Sequence, residues 1–237
     1  MQSHIGTREI TRAEARQEAS TVFLAKVFNW MAIGLGVTGV VAYFLGQSGM
    51  VQALIASPVF MILLLVELGM VFFLSARIDK IQPATATGLF LGYSLLNGVT
   101  LSTIFLAYTK ASIAATFMVT AGMFAAMAVY GMVTKRDLSG VGSFMFMGLI
   151  GILIASVVNI FLKSPAVYWA ISAIGVLVFT GLTAYDVQKI KKIGEEGIMQ
   201  QGEGAVRKGA IIGALALYLD FINLFLMLLR FFGGSRD

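Results

Sequence analysis

Cysteine is absent from this sequence, and histidine occurs only once, as His4. The absence of cysteine excludes disulfide bonds, thiolate metal sites and cysteine nucleophiles. One histidine cannot form the multi-histidine sites that commonly hold zinc. We therefore expect the protein to carry no tightly bound cofactor.

Charge is also scarce. Charged residues make up 12% of the chain and hydrophobic residues 58%, whereas a soluble domain has roughly 25% charged residues. The apolar residues form runs of about 20, the length of helix that crosses a hydrocarbon core of about 30 Å. The composition indicates an integral membrane protein whose first partner is the lipid bilayer.

Seven apolar segments follow a polar N-terminal stretch. Each must be a helix, because an open strand edge in lipid would leave backbone groups without hydrogen-bond partners. The sequence predicts an all-α polytopic membrane protein, a seven-transmembrane-helix bundle. It comprises an N-terminal tail at 1–26, with a short surface helix from Thr11 to about Ser20, and a transmembrane domain at 27–237. The predicted spans are about 27–46, 54–76, 84–107, 111–133, 141–162, 166–188 and 209–232, and a long polar loop is expected at 189–208.

The basic residues predict the orientation of the spans. Thirteen of the 17 Lys and Arg residues lie in the N-terminal tail and in the second, fourth and sixth loops. The other connections and the C-terminal end carry four. Because positive loops stay in the cytoplasm, we expect a cytoplasmic N-terminus and a periplasmic C-terminus. The net charge of +5 then reflects topology, and no nucleic-acid partner is expected.

Three acids lie within apolar runs: Glu67, Asp186 and Asp220. A charge at the bilayer centre costs roughly 2.5–3.5 kcal/mol on insertion scales, so such residues face a partner, water or the bundle interior. Asp220 is about 15 Å from either end of its span at 1.5 Å per residue, and we predict a functional role for it. The alternative is a structural acid paired with a neighbouring helix.

The other two acids have stronger structural alternatives. Asp186 lies near the cytoplasmic end of the sixth span, three residues before Lys189, where a solvated helix-end pair would also explain it. Glu67 lies mid-span, where a protonated carboxyl hydrogen-bonded inside the bundle is an equal alternative. Arg77 ends the second span, either as an interfacial anchor or as a counter-ion to an acid. The third span carries a polar stripe typical of interhelical hydrogen bonding, namely Tyr93, Asn97, Thr100 and Thr103.

Catalytic motifs are few. Tyr185-Asp186 matches half of the signature of membrane aspartyl proteases, but Tyr218-Leu219-Asp220 does not match its Gly-x-Gly-Asp half. The sequence therefore does not predict an enzyme.

Two longer stretches carry a family resemblance. Residues 183–191 (TAYDVQKIK) and 216–230 (ALYLDFINLFLMLLR), together with 134–139 (TKRDLS), resemble the transmembrane BAX-inhibitor-motif (Bax inhibitor) family, in particular its bacterial inner-membrane members. The resemblance covers the whole chain after the N-terminal tail. It implies a seven-helix fold with the last helix near the centre.

The resemblance also implies a function. Characterised members of that family are pH-sensitive calcium leaks, in which one acid of the sixth span and one of the seventh form a paired site; these correspond to Asp186 and Asp220. Arg77 corresponds to an arginine that contributes to the closed state, and Glu67 falls where relatives carry an acid. We expect Ca²⁺ as the permeant ion, bound transiently by Asp186 and Asp220, and protons as the regulator.

The expected carboxyl pair has a simple physical basis. Two carboxyl groups at one site cannot both ionise cheaply, so they titrate as a unit. Loss of a shared proton leaves repelling charges and oxygens that attract Ca²⁺, a hard cation. Two other functions stay open: a regulatory protein that modulates a membrane-bound AAA protease, with the tail at 1–26 as a handle, and a proton-coupled transporter that uses Asp220.

Overall fold

The computed structural model describes residues 2–234 of the chain and the side chains of residues 11–234. Residues 235–237, which include the Arg236 counted at the C-terminal end, lie outside the described residues. Within the described part the secondary structure is helical. Its α-helices are α1 (Gln2–Gln47), α2 (Met50–Ala56), α3 (Pro58–Arg77), α4 (Pro83–Leu101), α5 (Ile104–Ala107), α6 (Lys110–Val133), α7 (Ser139–Leu162), α8 (Pro165–Glu195) and α9 (Glu203–Phe232).

Within the described residues, seven segments are long and apolar enough to cross a membrane: α1, α3, α4 with α5, α6, α7, α8 and α9. The all-α fold and the seven predicted spans are thereby confirmed. The last helix is the most buried of the seven. In its apolar stretch 72% of the residues are buried, against 44% or fewer in each of the others.

Helix α1 is longer than its predicted span, because it continues without a break through the expected tail. Neither glycine nor proline occurs between Gly6 and Gly34, so nothing in the sequence stops the helix there. The division at 26/27 lies inside this helix, and a separate tail domain stays a prediction.

The predicted polar loop at 189–208 is largely helical. Helix α8 continues to Glu195, a 3₁₀ turn covers Ile198–Gln200, and α9 already begins at Glu203. Lys191 and Glu195 form an ion pair of 3.8 Å one turn apart, which favours the helix locally. Gly197 lies between the end of α8 and the 3₁₀ turn. Its φ is +95°, a backbone conformation that glycine adopts without strain.

Two predicted spans contain breaks. The second is interrupted at Ser57, because Pro58 begins α3 and proline suits the first position of a helix. The third breaks after Leu101. Neither glycine nor proline lies between Leu101 and α5, which begins at Ile104.

The chain forms two compact units. The first contains Met1–Ala42, Leu54–Leu101 and Lys189–Leu215. In it α1 packs closely on α4, where the Thr38 hydroxyl donates to the Ser94 carbonyl at 2.7 Å. It also packs on the first part of α9, where Gly213 leaves room for Val27.

The second unit contains Tyr43–Ala53, Ser102–Gln188 and Ala216–Asp237. Its apolar core joins α7, α8 and the second part of α9, around Ile152, Val178 and Leu224. On α6, Phe117 and Phe124 make edge-to-face contacts with Phe221 of α9, at centroid distances of 5.3 and 5.5 Å.

Candidate functional site

Asp220 is a buried carboxyl on α9. It lies in the second unit, about 18 Å from the end of the helix at 1.5 Å per residue. Its side chain is 5% exposed, and its Oδ2 atom has no hydrogen-bond partner among the described residues. A buried polar atom without a partner is costly. This oxygen therefore has capacity for a proton or a cation.

Asp186 lies in the same unit, on α8. The helix continues nine residues beyond it, to Glu195, so Asp186 is not at the helix end. Its side chain is half-buried and close enough to Asp220 for an electrostatic interaction. The two predicted pair residues are thus neighbours.

The surroundings of Asp220 are largely apolar. Leu217 and Leu224, each one turn from Asp220 on α9, are fully buried apolar side chains. Asn223, one turn later, donates to the Leu219 carbonyl of its own helix at 2.8 Å. The Asn223 amide is therefore bonded to the backbone of α9.

The carboxyl oxygens determine which cation chemistry is available. No group of three or more Asp, Glu or His side chains that could hold a metal ion occurs within the described part of the chain. Calcium takes six to eight oxygen ligands, which exceeds what two carboxyl groups supply. Two carboxyl groups alone would leave a calcium ion with much of its water.

Glu67 is part of a separate buried network in the first unit. Its side chain is 7% exposed. It accepts hydrogen bonds from the Asn97 amide (3.2 Å) and the Thr100 hydroxyl (2.9 Å), both on α4. The polar stripe of the third span is confirmed as interhelical hydrogen bonding at these two positions.

The sequence contained a partial signal for this pairing. Helices α3 and α4 are joined by five residues, 78–82. In so short a hairpin, positions at similar distances from the turn lie at similar heights, and about the middle residue, 80, position 67 is symmetric with 93. Asn97 lies one turn beyond that point, so the count gives the height of the partner only to within about one turn.

Arg77 is the last residue of α3, and its side chain is exposed. It lies ten residues after Glu67, which is about 15 Å along the helix. The hydrogen bonds of Glu67 are instead made by Asn97 and Thr100. A role for Arg77 in gating stays a prediction.

The chain is similar to a known group of membrane proteins. The family profile described as "Inhibitor of apoptosis-promoting Bax1" matches residues 20–237. Inner membrane protein YbhL of Escherichia coli K12 is 54% identical over 216 residues, which cover 90% of this chain and 92% of YbhL. An uncharacterized protein of Borreliella burgdorferi is 49% identical over 217 residues (91% and 93%), and one of Deinococcus radiodurans 44% over 215 residues (91% of each).

Proposed function

The chain belongs to the Bax inhibitor family, and from this premise we propose that it is a pH-sensitive calcium, or cation, leak channel of the bacterial inner membrane. The Asp186–Asp220 pair is its gate. The inner-membrane location follows from the similarity to YbhL, an inner membrane protein. On this proposal Ca²⁺ is the permeant ion and H⁺ the regulator.

The observation that supports the proposal most directly is the unpartnered Oδ2 of Asp220. A purely structural acid would have both oxygens satisfied, as Glu67 does through Asn97 and Thr100. An unsatisfied oxygen beside a second carboxyl is instead suited to exchange a proton for a cation.

The proposed gate works through charge repulsion. With one proton between them, Asp186 and Asp220 do not repel, and α8 and α9 stay packed. Once the proton leaves, two negative charges face each other in largely apolar surroundings, where repulsion is stronger than in water. The helices then separate enough for a cation with its water to enter. Acid therefore closes the path and deprotonation opens it.

The experiment measures Ca²⁺ flux into proteoliposomes on both sides of neutral pH. We expect wild-type flux to rise with pH, by at most about tenfold per unit for one titrating proton. Asp186→Asn and Asp220→Asn remove one carboxyl charge each, so the pH dependence should be lost or flattened in both. Asp79→Asn is the matched control, because this acid is exposed in the connection between α3 and α4.

Unchanged pH dependence in both pair variants would refute the carboxyl gate. Equal flattening in Asp79→Asn would show that surface charge, and not the pair, controls the flux. A chain that carries no flux at any pH would favour the second candidate.

The second candidate is a regulatory protein that modulates a membrane-bound AAA protease. One observation favours it: all side chains from Thr11 to Glu18 of α1 are exposed, as a docking segment would require. Under this candidate the chain changes the turnover of other membrane proteins, and the carboxyl pair serves packing alone.

A further inference from the structure

Gln188 makes two hydrogen bonds that join α8 to the connection between α6 and α7. Its Oε1 accepts from the Leu138 backbone N–H at 2.8 Å. Its Nε2 donates to the Arg136 carbonyl, also at 2.8 Å. The side chain is 7% exposed. Both ends of one buried amide therefore hold the backbone of a segment 50 residues away.

The amide side chain of Gln188 meets both requirements of the site. The site needs one donor and one acceptor at the same time, and glutamine supplies both without charge. An ionised glutamate would only accept, and a lysine would only donate. Leu138 is itself 5% exposed and directly precedes α7. Without Gln188 its N–H would be left unpaired in a buried place.

Two glycines bring the same part of α8 close to its neighbours. At Gly131 of α6 an added Cβ would collide with the carbonyl of Ala184. At Gly142 of α7 it would collide with the Tyr185 ring. Positions 184, 185 and 188 are thus fixed by packing or hydrogen bonds on either side of Asp186.

From this arrangement we propose that Gln188 is a positioning residue for the carboxyl pair. By tying the α6–α7 connection to α8 two residues from Asp186, it sets where the Asp186 carboxyl lies relative to Asp220. The inference rests on the proposed function, because it assigns Gln188 a part in the gate.

The charged groups near Gln188 and Asp186 differ in their exposure to solvent. Lys135, Arg136 and Asp137 of the connection and Lys189 of α8 are exposed to solvent, where charges are strongly screened. Asp220 is the buried acid that α9 presents to Asp186. Gln188 carries no charge, so its influence on the gate is through position.

The experiment replaces Gln188 by methionine, which has a similar length and makes neither hydrogen bond. Hydrogen exchange at the Leu138 amide should become faster, because its acceptor is gone. In proteoliposomes the pH midpoint of Ca²⁺ flux should move to lower pH by about one unit, or ~1.4 kcal/mol. Carboxyl groups that are held less closely repel less when both ionise.

A double variant separates positioning from general weakening. If Gln188 acts through Asp186, adding Gln188→Met to Asp186→Asn should leave the flux of that variant unchanged within about twofold. A weakened fold would lower the flux of both backgrounds alike. Gln201→Met is the control, since this glutamine is exposed; its midpoint should equal that of wild type.

Gln188→Asn keeps the amide but is one methylene shorter, so it reaches one backbone group at most. It provides a milder variant if the methionine protein does not fold, and its midpoint should lie between those of wild type and Gln188→Met. Faster exchange at Leu138 with an unchanged midpoint would overturn the inference. An unchanged exchange rate at the Leu138 amide would show that Gln188 does not protect this N–H. Failure of the proposed function would be seen in a different experiment. There, the Ca²⁺ flux of Asp186→Asn and of Asp220→Asn would keep its pH dependence.

Discussion

The two buried acids in the middle of their helices have different surroundings. Glu67 is hydrogen-bonded to Asn97 and Thr100, whereas one oxygen of Asp220 has no partner within the described residues. An acid whose oxygens are all hydrogen-bonded stabilises the contact between its helices. An acid with an unbonded oxygen can still take up a proton or a cation. On the proposed function, these two carboxyl groups, each near the middle of its helix, thus have different roles.

We expect Thr100→Val to lower the free energy of unfolding by about 0.6–1.7 kcal/mol, the range found for interhelical hydrogen bonds in membranes. Valine has the shape of threonine but cannot donate to Glu67. Unfolding in mixed micelles measures the change. Thr85→Val on the same helix is the control, because Thr85 is exposed.

A double-mutant cycle assigns that cost to the pair. Thr100→Val should cost less in a Glu67→Met background, where no side-chain oxygen is left to accept the bond. If Thr85→Val and Thr100→Val cost the same, the Glu67 network does not stabilise the α3–α4 contact.

Helix α6 contains glycines of two kinds. Gly131 is buried where α6 touches the backbone of α8, whereas a Cβ at Gly122 would meet nothing within 4 Å. We expect Gly131→Ala to destabilise the protein by about 1–3 kcal/mol, because a backbone carbonyl cannot move aside cheaply. Thermal unfolding in detergent measures this effect.

Gly122→Ala tests the same substitution without the contact. Alanine favours a helix over glycine by up to about 1 kcal/mol, so this variant should be neutral or more stable. A similar loss of stability in both variants would mean that close packing on α8 is not what Gly131 provides.

The helices were predictable where a property is local. Runs of apolar residues depend only on neighbours in sequence, and all seven spans follow from them. The extensions of α8 and α9 were missed because the polar residues at 189–208 were taken for a loop, although the residues that interrupt the helices there are Gly197 and Gly202. In α1, the helix predicted from Thr11 to about Ser20 was not joined to the first span. The break after Leu101 was not predictable, because neither glycine nor proline follows it before α5.

The candidate site was predictable to a smaller extent. Asp186, Asp220 and Glu67 stood out because ionisable residues are rare in apolar spans. Their partners are set by tertiary packing. The hydrogen bonds of Glu67 and the unpaired oxygen of Asp220 could therefore not be derived from the amino-acid sequence alone. Gln188 was part of a conspicuous motif, yet its bonds to the connection at 136–138 join residues about 50 positions apart.

The proposed orientation applies to the protein as a whole and can be tested directly. Because the chain has no cysteine, an introduced cysteine is its only thiol. Ala111 and Gln201 are exposed positions beside the third and sixth connections, which the basic residues assign to opposite sides. We expect a membrane-impermeant maleimide to label Ala111→Cys in intact cells, and Gln201→Cys only after the membrane is opened.

The reverse labelling pattern would show that the orientation is the opposite of the proposed one, with the N-terminus outside. Labelling of both positions in intact cells would contradict an odd number of spans between them. Labelling of both after lysis is the control that each thiol is reactive.

The burial of α9 has a consequence for biosynthesis. The helix with the most buried apolar stretch also follows the other six spans in the chain, and each compact unit contains part of it: residues up to Leu215 belong to the first, and those from Ala216 to the second. Neither unit is complete before α9 has been synthesised. The six earlier spans must therefore wait in the membrane, without the part of α9 that belongs to their unit, until that helix arrives.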